Sequence, residues 1–178
     1  MALATQRSTG GSRRPPTRGN GPGRRRIASL IGMLLAGMLL SGCGLSIPSD
    51  PNGTMDRVEG AVLRAGASVE EGLVEKAADG GAFGPLADLV EAFAEEHGAE
   101  VEWTFGSEES LVEHLEQHRI DLAVGGMTAD TPWSQMAGTT RGYDEVPGAE
   151  GREIVMLVPL GENELVYELE SFLDRELS

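Results

Sequence analysis

From residue 62 onward, short apolar runs alternate with helical stripes, and this alternation limits the chain to few architectures. Val62–Ser68 reads as a strand. Leu86, Leu89, Val90, Phe93 and Ala94 fall at i, i+3, i+4, i+7 and i+8, one helical face stopped by Gly98. Val101–Phe105 alternates as a strand does, and Ser107 is the expected N-cap of a helix burying Leu111, Val112 and Leu115. Its first-turn acids, Glu108 and Glu109, face the positive end of the helix dipole. Ile120–Val124 is a third strand and ends in Gly125-Gly126. Ile154–Val158 is a fourth, followed by a helix over 162–176 that buries Leu165, Leu169, Phe172 and Leu173. Residues 69–83 read as an acidic loop with a helical turn near Glu70–Ala77, and 127–151 as turn-rich. The pattern predicts an α/β fold with a mostly parallel sheet flanked by helices, its first three strands parallel. Ligands of such sheets sit at the carboxyl ends of the strands. Those ends are Ser68, the 105–107 turn with Ser107, and Gly125, Gly126, Met127 and Thr128.

The N-terminal part is a different material. Residues 1–42 hold seven arginines and no acid. Ile27–Leu40 is apolar for 14 residues, short of the roughly 20 that span a bilayer but suited to a signal peptide. Leu40-Ser41-Gly42-Cys43 matches a lipobox, with Cys43 as the lipidated residue and the only cysteine in the chain. Arg24-Arg25-Arg26 leaves both the general and the twin-arginine export routes open. The expected organisation is a lipoprotein signal over 1–42, a flexible tether over 43–56 rich in Pro, Gly and Ser, and one lobe over 57–178. The expected location is extracytoplasmic, lipid-anchored to a bacterial membrane. With Cys43 acylated, no disulfide can support the fold.

After Cys43, seven basic residues face 29 acidic ones, and seven minus 29 gives −22. Such a surface repels nucleic acid and anionic lipid. The acid pairs Glu70-Glu71, Glu95-Glu96 and Glu108-Glu109 lack the spacing of a calcium loop and read as solvated faces. His114 and His118 stand at i, i+4 without an evident third ligand, so no metal is expected. Phosphate-loop, serine-elbow and nucleophile–base patterns are not visible, so neither an enzyme nor a cofactor is expected.

Five segments in order resemble the first lobe of the bacterial extracellular solute-binding proteins of the polar amino-acid type, the family 3, type II periplasmic-binding-protein fold. They are Val62–Ser68, Gly84–Gly98 with Asp88, Ile120–Thr128, Thr139-Thr140-Arg141-Gly142-Tyr143, and Arg152–Val158 with Gly161-Glu162-Asn163. The resemblance implies an ABC-transporter-type binding protein for a small polar solute such as an amino acid or organic acid. It also departs from the family. Only Asp144–Gly151 stands where the family crosses into and out of a second lobe, so the chain resembles a half-size, single-lobe form. The position five residues after Thr128, where the family places a carboxylate-clamping arginine, is Trp133. Arg141 matches a structural strand position, and Pro85 and Leu86 replace the usual Phe and acid near the cleft.

The candidate ligand-binding residues are therefore Ser68, Ser107, Gly125, Gly126, Met127, Thr128, Trp133 and Arg141. The glycine turn offers backbone N–H groups to an anion or simply permits a tight turn. Trp133 stacks on a flat ligand, anchors a partner, or covers the sheet. A lone lobe cannot close by a hinge, so weak binding, or binding completed by a membrane transporter or sensor partner, is expected. The other reading is an interaction or regulatory module that has lost solute binding.

Overall fold

The computed structural model describes residues 51–178, and Cys43, with the signal and most of the tether, lies outside them. The elements in chain order are α1 (Thr54–Val58), β1 (Val62–Ala67), β2 (Glu75–Lys76), β3 (Ala82–Phe83), α2 (Pro85–Glu96), β4 (Glu100–Phe105), α3 (Glu108–Glu116), β5 (Leu122–Val124), a 3-10 turn (Pro132–Gln135), β6 (Ala137–Thr139), β7 (Leu157–Pro159) and α4 (Asn163–Glu176). Five strands form one sheet in the order β4-β1-β5-β7-β6. β1 runs parallel to both β4 and β5, as the strand–helix–strand pattern predicts. β7 pairs antiparallel with β5 and with β6. The outcome is the expected α/β lobe, a mixed sheet with a parallel core.

Each face of the sheet has its own core. On one side Leu63, Ala65, Ala67, Leu122 and Val124 pack against α2 through Leu86, Val90 and Phe93, and against α4 through Leu165, Leu169 and Phe172. On the other, Ala123, Val155 and Leu157 pack against Leu111, Val112 and Leu115 of α3. Gly66 faces this second core. A Cβ there would lie 2.7 Å from Ile120 Cδ1 and 2.8 Å from Leu111 Cδ2, so the missing side chain lets α3 press on β1.

Three local expectations change. The 69–83 segment is not a helical turn but holds the antiparallel β2–β3 pair, too short for an alternation to register. The fourth strand is displaced to Leu157–Pro159, with Ile154 making isolated bridges to Thr128 and Tyr143. Helical structure begins at Thr54, inside the stretch read as tether.

Asp121 holds the amino end of the sheet together. Its side chain is 1% exposed and accepts from Arg57 Nη2 at 2.7 Å, Arg64 Nη2 at 2.5 Å, Arg64 Nε at 3.0 Å and the Arg64 backbone N–H at 3.0 Å. The hydrogen bonds to Asp121 raise the Arg64 guanidinium above its ordinary pKa, although burial opposes this. α1, β1 and the start of β5 thus meet at one carboxylate. Because both guanidiniums reach solvent, Asp121→Ala should cost about 2–3 kcal/mol. Arg57→Ala, which removes an exposed partner, should cost under about 1 kcal/mol. Urea denaturation of the two variants checks the ordering.

Candidate functional site

The carboxyl ends of β1, β4 and β5 converge through backbone bonds. Gly106 N–H donates to Ala67 O at 3.2 Å, and Ser68 N–H donates to Val124 O at 2.9 Å. Ser68 and Gly125 are consequently in contact: a Cβ on Gly125 would lie 2.8 Å from Ser68 O and 3.0 Å from Ser68 Cβ. The glycine turn is thus required by a close approach between chain segments. Gly126 follows, and beyond it the chain re-enters the sheet, with Val155 N–H donating to Met127 O at 3.0 Å and Ala129 N–H to Glu153 O at 3.0 Å.

The candidate residues divide accordingly. Ser68, Gly125 and Gly126 are brought together at the end of β1 and β5, and Thr128 is half-buried beyond them. Met127 is 2% exposed and its side chain belongs to the second core. Ser107 is exposed and caps α3, its hydroxyl accepting from Ser110 N–H at 3.3 Å. Trp133 packs against the second core, and its indole N–H donates to Glu108 Oε2 at 3.1 Å. Arg141 is not brought to this edge. It pairs with Asp174 of α4, its backbone N–H donates to Glu170 Oε1 at 2.7 Å, and its guanidinium lies 5.1 Å from the Tyr143 ring centre. His114 and His118 join no cluster of three metal-ligating side chains among the described residues. Among those residues no helix is long and apolar enough to cross a membrane.

Two residues outside the candidate set stand at the same edge: Glu70, read from the sequence as part of a solvated acid pair, and Arg152. Glu70 lies over Gly126: a Cβ there would be 3.0 Å from the Glu70 carboxylate. Arg152 Nη1 donates to Glu70 Oε1 at 2.9 Å, and its Nε donates to Ala149 O at 3.1 Å. With Glu71, Gly72, Gly148 and Glu150 they line an open hollow of about 520 Å³. Glu70 could have been found from its place two residues past Ser68. Arg152 carried no such signal, being 82 residues away in sequence.

No family model matches the sequence, and no curated protein matches it. Solved structures do. The arginine-bound form of domain 1 from TmArgBP, as a point mutant, is similar with a TM-score of 0.59 at 21% identity, covering 68% of this chain and 97% of that one. The fold is that of a solute-binding-protein lobe. An ancestral cyclohexadienyl dehydratase is similar to the lobe with a TM-score of 0.58 at 15% identity, covering 72% of this chain and 91% of that one. A Salmonella typhimurium periplasmic binding protein with high arginine specificity reaches 0.53 at 13% identity, covering 66% and 93%. The lobe fold therefore carries both binding proteins and an ancestral enzyme.

On the α4 side of the lobe, Tyr143 is 5% exposed, and its hydroxyl donates within reach of Glu170 O at 3.3 Å and Asp174 Oδ1 at 3.2 Å. Burial pushes the phenol above its ordinary pKa of 10.0, against the opposing effect of Arg141. A raised folded-state value means that this stabilisation is complete below the unfolded value and is lost as pH rises through the folded one. Urea midpoints taken from neutral pH upward should fall above about pH 10, and fall less in Tyr143→Phe.

Proposed function

We propose that the chain is an extracytoplasmic, lipid-tethered substrate-binding protein of the ABC-transporter type. In this reading it holds a small polar solute at the carboxyl ends of β1, β4 and β5. The observation that carries the reading is the joining of Ser68, Gly125 and Gly126 at that edge, on a fold whose neighbours include an arginine-bound domain. One neighbour is domain 1 on its own in an arginine-bound form, which supports a single lobe as sufficient to hold an amino acid. With one wall open to water, much of the solute's surface stays wet, and affinity falls below that of a closing pair of lobes. A transporter or sensor held nearby would supply the second wall. Lipid on Cys43 would keep the lobe beside it, each buried CH₂ contributing about 0.8 kcal/mol. We read the lobe as a binder rather than a catalyst, a reading that its arginine-bound neighbours support.

A second reading, an interaction module without a solute, is favoured by Val69 and Phe83, which are 57% and 48% exposed, Val69 immediately following Ser68. Thermal shift of the purified full-length chain against amino acids and organic acids separates the two. Solute binding predicts a melting-temperature rise that shrinks in Thr128→Ala. No response to any compound, with co-purification of a membrane protein, selects the interaction module. The anchor has its own test: Cys43→Ser should move the protein from the membrane to the soluble fraction of a bacterial host.

A further inference from the structure

We propose that Asn52-Gly53 is a site of spontaneous deamidation, and that the reaction unfastens the chain entry from the lobe. The side-chain amide of an asparagine is open to attack by the backbone nitrogen of the next residue, and a glycine there leaves the approach uncrowded. After residue 50 the chain has two asparagines, Asn52 and Asn163. Asn52 is exposed, and Gly53 sits at φ 63 with nothing within 4 Å of the place a Cβ would take. Asn163 instead opens α4 and is followed by Glu164, whose side chain and helical backbone hinder the same attack.

The step needs water and no other reagent. The Gly53 nitrogen gives its proton to a solvent base and bonds to Asn52 Cγ. The Cγ–Nδ2 bond breaks, and the departing nitrogen takes up a proton and leaves as ammonia, closing a succinimide ring. Water then adds at one of the two ring carbonyls. Opening at Cγ gives aspartate, and opening at the backbone carbonyl gives isoaspartate, with the main chain rerouted through the side chain.

The amide that reacts is also a fastening. Asn52 Nδ2 donates to Glu162 Oε1 at 2.6 Å, and Glu162, immediately ahead of α4, is 1% exposed. Pro51 lies at the same place, 3.8 Å from where a Cβ on Gly161 would stand. While this bond holds, the Asn52 amide is restrained, so attack waits for local opening of the 51–53 stretch. After the reaction, a carboxylate stands where the donor was and faces a buried carboxylate. The like charges repel, and Glu162 loses a donor that its desolvated oxygen needs. The stretch can therefore open and react, but it cannot close again as before. The strain passes to α1, which follows directly and is held by Met55 and Val58 in the core and by Arg57 on Asp121.

Incubation of the full-length chain in detergent micelles in mildly alkaline buffer, followed by digestion and tandem mass spectrometry, tests this. The peptide containing Asn52 should gain the mass of NH₂ exchanged for OH and become a substrate for an isoaspartate methyltransferase. The Asn163 peptide should be converted at least tenfold less. Conversion at Asn52 should be at least threefold faster in urea, and in Glu162→Ala, where the restraint is gone. Asn52→Asp supplies one product directly and should lower the melting temperature of fresh protein. Measured against Glu162→Gln alone, the same change should lower it by less than half as much. An Asn52 peptide that stays unconverted in the folded chain, whether or not urea releases it, overturns the site. Conversion of the wild type as fast folded as in urea, or Asn52→Asp melting with the wild type, overturns the fastening. Both comparisons stand even if Glu162→Ala fails to fold.

Discussion

A buried carboxylate between two guanidiniums fixes one end of this molecule. Asp121 receives four donors from α1 and β1 and stands at the start of β5, so three chain segments are placed by one side chain. Desolvating a carboxylate is costly unless its lone pairs are satisfied. Asp121 meets that condition, since Arg64 supplies both its backbone N–H and its guanidinium. With the amino ends pinned, β1 carries register along its length to β4 and β5. The opposite ends are thereby set where Ser68 meets Gly125.

The parts of the fold legible in the sequence are those with a repeating signal. The α2 stripe, the Ser107 cap and the β1 and β5 apolar runs each involve several residues that agree. The β2–β3 pair has two residues per strand and sits in an acidic, glycine-containing stretch, so no alternation could reveal it. Five-residue α1 has no room for a stripe, and its place is set by Met55 and Val58 packing into the core and by Arg57 on Asp121.

The candidate site divides along the same line. Its backbone, the strand ends and glycine turn, follows from the α/β pattern. Its charges do not. Glu70 and Arg152 meet only because the Gly148 backbone nests against Gly72, a contact between two irregular loops that no local pattern encodes. Arg141, conspicuous in sequence, is drawn instead to α4 by Asp174 and Glu170. Trp133, equally conspicuous, packs against the second core.

The placement of α1 has a practical side. The chain enters β1 at Val62, beside Asp121, and the glycine turn lies past the far end of that six-residue strand. At about 3.3 Å per residue the two ends are ~20 Å apart. A bead, a surface or a fused reporter attached ahead of residue 51 would therefore grip the lobe by its back, leaving the Ser68–Gly126 edge free for optical or calorimetric titration in the immobilised state.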